Sequence, residues 1–453
     1  MDIIIQPSSL GGAVPAVASK SMAHRLMILR AFAANDCELA CTTTSADIEA
    51  TRRCLDALVC RKKGNPRDGL ASDSGDLDGA LISNLQSDPT GCAHSCGSEI
   101  VLDCGESGST LRFLLPVVGA LGKRVRMKRH GRLAQRPLAP LDAQLRAHGM
   151  RIWDEGDDLV AEGQLHGGSY SLPGDVSSQY VSGLLMAAPL LPESLELFVS
   201  SPIQSRPYIN MTIDALEQFG VEVVCDKVGM GTATCERFAL SPTPLTGPAR
   251  IEVEGDWSNA AFWLTAGAME QDGVTVTGLD LTSFQGDRAV LAALAAFGAR
   301  IARQGNAARA TRDMPRPASF DVGAFPDLVP PLSVLAAMTP GTSSARNAGR
   351  LRLKESDRLA TIACAINALG GKAHIANDDL VVEGVERLSG GTVDSANDHR
   401  IAMMAAIMAT HAAGPVRIVG AECVEKSYPG FWDDYRMLGG IAQEATTADD
   451  TPT

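Results

Sequence analysis

Eight cations of this chain stand in or beside short loops rich in Gly, Ser, Asp or Asn: Lys20, Arg25, Arg112, Arg136, Lys354, Arg358, Arg400 and Lys426. Arginine forks and lysine point charges are the side chains that hold phosphate and carboxylate groups. A cation at a helix start is costly, because it adds to the positive end of the helix dipole. Repeated along one chain, that cost implies a bound anion that offsets it, although any one of the eight read alone is better explained as a surface ion pair.

The elements that must position these cations repeat. Six segments begin in a polar loop and continue as an Ala/Leu/Met-rich run of about three turns: Ser19 to Ala33, Gly105 to Ala120, Gly174 to Leu190, Gly255 to Met269, Pro326 to Met338, and Asn397 to Thr410. With Ser21, Ser109, Ser178, Ser258, Asp327 and Asp398 as anchors, the gaps are 88, 69, 80, 69 and 71 residues. Capping alone occurs in any α/β protein, but it does not produce such a spacing. Amphipathic helices ending in Gly follow four of the runs, at Leu141 to Gly149, Ile213 to Gly220, Leu291 to Gly298 and Ile362 to Gly370. Alternating runs such as Val221 to Val224 and Ala299 to Ala302 read as strands. The unit is a mixed α/β module, and six modules make two bodies of three. An apolar helix wrapped by other elements does its polar work at its N-terminus, so six N-termini facing one crevice would favour a polyanion.

Composition restricts the partners. The chain has 453 residues, 40 Lys+Arg against 53 Asp+Glu, a net charge of −13, 45% hydrophobic and 4% aromatic residues. Such a charge repels nucleic acid and anionic membrane, so neither is an expected partner. Seven cations between Lys123 and Arg136 alternate with Val125 and Met127 as an exposed strand would, with no aromatic residue to stack bases. Ser19-Lys20-Ser21 lacks the glycines of a P-loop, and Gly229-Met230-Gly231 lacks the third glycine of a dinucleotide fingerprint. Eleven irregularly spaced cysteines fit a reducing compartment, and Cys92, His94, Cys96 and Cys104 include no CxxC pair, so no metal is expected. Met1-Asp2-Ile3-Ile4-Ile5 reads as a strand rather than a secretory signal, and Tyr180 to Pro192 is too short to span a bilayer. A soluble cytoplasmic protein is expected.

Eight stretches, in one order, carry a resemblance: Ser19-Lys20-Ser21 with Arg25; Gly105 to Arg112; Gln135-Arg136-Pro137; Ser177-Ser178-Gln179; Pro326-Asp327; Lys354 to Arg358; Asn397 to Arg400; and Lys426 to Pro429. Together they resemble the 5-enolpyruvylshikimate-3-phosphate synthase family from about residue 3 to 440. The resemblance implies a two-domain inside-out α/β barrel of six βαβαββ repeats. Residues 1–18 with 254–441 form one domain, 19–253 the other, and 442–453 a disordered tail. It implies transfer of a carboxyvinyl group from phosphoenolpyruvate to the 5-hydroxyl of shikimate 3-phosphate, by a monomer that needs no cofactor.

By the same resemblance, Glu355 handles the carbon-bound proton, Asp327 the 5-hydroxyl, and Lys20 the hydroxyl or departing phosphate. Lys20, Gly108, Arg112, Arg136, Gln179, Arg358, Arg400 and Lys426 would meet phosphoenolpyruvate. Lys20, Ser21, Arg25, Ser177, Ser178, Gln179, Ser205, Tyr208, Asp327 and Lys354 would meet shikimate 3-phosphate. Gly108 matches the small residue at which glyphosate competes, so sensitivity to glyphosate is expected. Glu106 and Arg350 replace asparagines of other members, and no ligand contact is transferred to them. Residues 62–98 read as an exposed insertion. Two rivals stand beside this reading. One is UDP-N-acetylglucosamine enolpyruvyl transferase, which carries Lys-Asn where this chain has Lys20-Ser21. The other is a non-catalytic phospholigand scaffold, which would not need Asp327 and Glu355.

Overall fold

The computed structural model describes residues 1–59, 99–230 and 233–445. Cys92, His94 and Cys96, and the expected insertion at 62–98, lie outside the described residues.

All six apolar runs are helices: Lys20–Ala31, Gly108–Ala120, Ser178–Ala187, Trp257–Gly267, Val329–Met338 and His399–Ala409. Five of them start on a side-chain cap that satisfies an orphan N–H. The caps are Ser19, Ser107, Ser177, Asp256 and Asp398. In the fifth helix in chain order, the 3₁₀ turn Pro326–Leu328 takes the place of a cap and leaves Asp327 unspent on backbone. Every residue of Trp257–Gly267 and of His399–Ala409 is buried, so these helices form the interior.

The sheets form the outside. Five four-stranded sheets share one plan, a parallel pair followed by two antiparallel pairings. In one of them Ile100–Asp103 runs parallel to Val125–Lys128, which pairs antiparallel with Asp158–Glu162 and through it with Arg151–Glu155. Its helices Gly108–Ala120 and Leu141–Ala147 lie between these strands in sequence, which completes the βαβαββ order. The remaining sheet has two strands among the described residues, Arg250–Glu252 parallel to Glu38–Ala40.

Chain order and sheet order differ at the N-terminus. Ile3–Gln6 lies between Val416–Val419 and Ile441–Glu444, and Gly12–Pro15 runs parallel to Val274–Thr277. One buried apolar cluster accordingly takes Ile3 to Val17 and Trp257 to Ala442, while a second takes Ala18 to Val253. The two passages between them lie side by side: Ser19 N–H donates to Glu254 O at 2.7 Å, and Asp256 N–H to Val17 O at 2.8 Å.

Three local expectations need correction. The tail does not begin at 442, because Ile441–Glu444 is a strand whose ladder partner is the N-terminal strand. The run Val221 to Val224 is not a strand as a whole. Val221 N–H closes the preceding helix on Leu216 O, and the strand runs from Val224 to Met230. The basic run is a strand over Val125–Lys128 alone, with Val125 and Met127 buried rather than exposed, and part of its charge is neutralised in place. Arg126 pairs with Glu99 and Glu155, and Arg129 with Asp154, each at 2.7 Å.

Candidate active site

The helix starts and the loops between them meet at one cavity. It is lined from one side by Lys20, Ser21, Arg25, Arg112, Arg136, Ser177, Ser178, Gln179, Ser205 and Tyr208, and from the other by Asp327, Lys354, Glu355, Arg358 and Arg400. Two expected residues stand apart. Gly108 lies just behind the lining, where a Cβ would sit 2.6 Å from Nη1 of both Arg112 and Arg136. Lys426 is turned to the rim, its Nζ 2.7 Å from Glu106 Oε2 and 2.8 Å from Asn397 O.

On the first side, local chain chemistry aims the cations. Pro116 has no N–H, so the Arg112 carbonyl lacks its helical donor. Gly183 of the next core helix packs against that carbonyl, and a Cβ there would lie 2.4 Å from it. This close approach sets Arg112 beside Gln179: Arg112 Nη1 donates to Gln179 Oε1 at 3.0 Å, and Gln179 Nε2 donates to Ser109 Oγ at 3.0 Å. Arg112 and Arg136 have no carboxylate within 4 Å among the described residues, and the Nε of each is buried without a partner. Burial and the neighbouring Arg136 pull the Arg112 guanidinium down to about 10. Arg25 is also buried without a counter-ion, its donors on Thr212, Ser21, Tyr208 and Ser182.

The second side interleaves charges of both signs. Arg358, 1% exposed, donates to Asp398 at 2.9 and 3.1 Å, to Asp327 Oδ1 at 2.9 Å and to Glu355 Oε2 at 2.5 Å. Four of its five N–H donors are thus used, so its first task is to orient three carboxylates, and one N–H is left for a ligand. Asp327 also meets Lys354 at 3.1 Å, Arg400 at 3.4 Å and the Tyr208 hydroxyl at 3.3 Å. Burial pushes Asp327 upward, but Arg400, Lys354 and Arg358 outweigh it and hold the carboxyl well below the usual range. Glu355 is likewise pushed up by burial and held well below by Arg358, Arg136 and Lys20. Both are ionised and able to accept a proton.

Lys20 stands between the sides. Its Nζ is 2.8 Å from Asp47, and its backbone N–H donates to Asp256 Oδ2 at 3.1 Å. Asp256 also caps Trp257–Gly267, so a single carboxylate ties together helix starts from both clusters. Burial opposes the charge of Lys20, yet Asp47 and Glu355 raise it, and the group stays an ammonium.

Sequence reasoning missed Asp47, Asp287, Asp398 as a partner of Arg358, and Arg350. Asp287 is buried under Tyr208, whose hydroxyl donates to it at 2.9 Å; burial and Asp327 push its carboxyl up to about 6. Position in a repeat loop pointed to Asp398, but Asp47 and Asp287 lie on no signal of that kind. His399 lines the cavity as a neutral ring with neither nitrogen partnered, since burial, Lys20 and Arg400 keep its pKa well below the usual value. Glu106, left without a role by the sequence, crosses the cleft to Lys426 and Asn397. No group of three or more His, Cys, Asp or Glu among the described residues is arranged to hold a metal ion, and no helix there is long and apolar enough to cross a membrane.

A family model described as EPSP synthase (3-phosphoshikimate 1-carboxyvinyltransferase) matches residues 4–435. The chain is 36% identical over 445 residues to the 3-phosphoshikimate 1-carboxyvinyltransferase of Clostridium kluyveri, covering 98% of each. It is 33% identical over 447 residues to that of Clostridioides difficile, covering 97% of this chain and 98% of the relative. The solved structure of EPSP synthase from Acinetobacter baumannii shares the fold, with a TM-score of 0.71 at 22% identity over 98% of this chain and 100% of that one. A chain that places bare arginines opposite ionised carboxylates, at the starts of six apolar helices, thus belongs to the EPSP synthase family, the 3-phosphoshikimate 1-carboxyvinyltransferases.

Proposed function

We propose that the chain transfers the carboxyvinyl group of phosphoenolpyruvate to the 5-hydroxyl of shikimate 3-phosphate and releases phosphate. The observation that carries this reading is the convergence of Arg112 and Arg136, without a counter-carboxylate, opposite the ionised pair Asp327 and Glu355. Two guanidiniums crowded together call for a multiply charged anion. Phosphoenolpyruvate supplies a phosphate and a carboxylate. In the addition step the 5-hydroxyl oxygen bonds to the central carbon of the enol while its proton passes to Asp327. The methylene carbon takes a proton from Glu355, which acquires that proton from solvent once two anionic substrates have neutralised the surrounding cations. In elimination Glu355 takes a methyl proton back, the carbon–oxygen bond to phosphate breaks, and the proton from Asp327 leaves with phosphate or solvent. Lys20, kept charged by Asp47, stands beside the developing phosphate charge.

Arg112, Arg136, Arg400, the remaining N–H of Arg358, and Lys426 would hold the donor, with Gly108 leaving room for it. Ser21, Arg25, Ser177, Ser178, Ser205, Tyr208 and Lys354 would hold the acceptor, and Gln179 would touch both. The two apolar clusters, joined by paired passages at Val17 and Glu254, support a division into residues 1–18 with 254–444 and residues 19–253, closing on the substrates. One chain supplies both walls, which supports a monomer. Phosphate release that requires both phosphoenolpyruvate and shikimate 3-phosphate is the expected result. Release with UDP-N-acetylglucosamine instead, or binding without release, would reject this reading in favour of a rival.

A further inference from the structure

Two carboxylates of the second side face one phenol. Tyr208, in the helix Arg206–Gln218 of the first side, reaches across the cleft, and its hydroxyl lies 2.9 Å from Asp287 Oδ2 and 3.3 Å from Asp327 Oδ2. It has one hydrogen, which the shorter contact takes, so the phenol oxygen is free to accept from Asp327 whenever that residue carries a proton. Asp327 presents the right oxygen for this. Its Oδ1 is held by Arg358 at 2.9 Å and Lys354 at 3.1 Å, whereas Oδ2 has Arg400 at 3.4 Å and is the oxygen left for an incoming proton.

The two carboxylates differ in how firmly they hold a proton. Asp327 has three cations that stabilise its charge. Asp287, 2% exposed, has no cation within 4 Å among the described residues: its Oδ2 accepts from Tyr208 and Ser258, and its Oδ1 is buried without a partner. Arg288, in the same 3₁₀ turn Gly286–Ala289, is bound to Leu281 O instead. Burial and the charge of Asp327 push the Asp287 carboxyl up to about 6, against Arg400, Ser258 and Tyr208. A buried carboxylate with an unsupported oxygen is the stronger base of such a pair.

We propose that Asp287 is the resting place of the acceptor's proton, reached from Asp327 through the Tyr208 hydroxyl. This rests on the carboxyvinyl-transfer reading above. As the 5-hydroxyl oxygen bonds to carbon, its O–H bond breaks and the proton joins Asp327 Oδ2. Asp327 then gives a proton to the phenol oxygen while the phenol gives its own to Asp287 Oδ2. One proton has moved, Asp327 is ionised again and Tyr208 is unchanged. In elimination the path runs backward to Asp327, and the proton leaves with phosphate or solvent. The relay exists only where the two sides meet, because its middle member comes from the side opposite its ends.

The test follows kcat of the full chain at saturating substrates from about pH 4.5 to about pH 8, in wild type, Asp287→Asn, Tyr208→Phe and the double variant. Wild-type kcat should fall as pH drops below about 6, because Asp287 is then already protonated. Above that pH each single variant should lose about 10- to 100-fold in kcat, with KM for phosphoenolpyruvate within about threefold. The double variant should match the slower single variant within about threefold, since one path is broken once, and all three variants should lack the acid-side fall. Losses that multiply in the double variant, or unchanged kcat in either single variant, would overturn the relay. So would a lowered kcat with the acid-side fall intact in Asp287→Asn, which marks a structural role. Tyr208→Phe carries the same pH comparison by itself should Asp287→Asn not fold. Wild type that does not turn over the two substrates would overturn the underlying reading, and that failure is seen before any variant is made.

Discussion

The wall of the cleft built from residues 19–253 holds Arg25, Arg112 and Arg136 with no carboxylate within 4 Å among the described residues, whereas the wall from 254 onward threads Asp327, Glu355 and Asp398 among Arg358, Arg400 and Lys354. The first wall leaves these guanidiniums without a protein counter-ion. The second pairs Lys354, Arg358 and Arg400 with carboxylates of its own, and Asp327 and Glu355 are held ionised there. In the proposed function, binding falls mainly to the first wall and proton transfer to the second, and turnover needs both at once. Tyr208 with Asp327, Arg350 with Ser205, and Lys426 with Glu106 already join them.

The sharpest way to break this division is Glu355→Gln, which keeps the shape of the second wall and removes its proton carrier. Turnover is expected to fall by about 10²- to 10⁴-fold, with binding of both substrates nearly intact by titration. Turnover close to wild type would remove the chemical role of that wall. Next comes a contrast between Asp398→Asn and Arg112→Gln. Asp398, 0% exposed, is bound to Arg358 Nε and Nη2 and caps its own helix, so its loss leaves a buried guanidinium partly unpaired. Urea unfolding should register a cost of about 3 kcal/mol. Arg112→Gln, on the first wall, should cost little stability while raising KM for phosphoenolpyruvate; a large stability loss there would contradict the comparison.

A smaller effect is expected from Gly108→Ala, whose Cβ would sit 2.6 Å from two guanidinium nitrogens. The arginines must shift, so KM for phosphoenolpyruvate should rise about tenfold, roughly 1.4 kcal/mol. Inhibition by glyphosate should weaken in parallel, and full turnover of wild type at saturating glyphosate would refute competition at this position. The smallest effect is on pH dependence. Asp287 has a carboxyl raised to about 6 by burial and Asp327, with Arg400, Ser258 and Tyr208 opposing. Between roughly pH 4 and that value the folded state holds a proton that the unfolded state has lost, so this group makes stability fall as pH rises. Asp287→Asn lacks that fall, and its urea midpoint should therefore gain on wild type across the same window. A constant difference between the two midpoints would show that Asp287 does not titrate there.

Much of the fold was legible because it is written locally. Ser19, Ser107, Ser177, Asp256 and Asp398 announce helix starts within three residues of the N–H groups they cap, and the spacing of those starts counts the repeats. The site was legible as a set of types, since eight cations recur in or beside the polar loops of one repeat. Roles within the set were less so. Arg358 reads in sequence as a ligand for the donor, yet most of its donors go to carboxylates, because Asp398 lies forty residues onward on a neighbouring capped helix. Asp47, Asp287 and Arg350 lie outside the signals that mark the others.

The sequence by itself determined the six apolar helices, the cations near their starts and the family to which those strings point, because capping, periodicity and motif act over a few residues. The tertiary structure alone decided which cations are neutralised. Arg350 meets Ser205 across 145 positions and Lys426 meets Glu106 across 320, separations over which no local pattern survives. It also decided that the first residues belong with the last: Ile3–Gln6 completes a sheet with Ile441–Glu444 because each leaves a ladder of N–H and C=O groups that only the other satisfies.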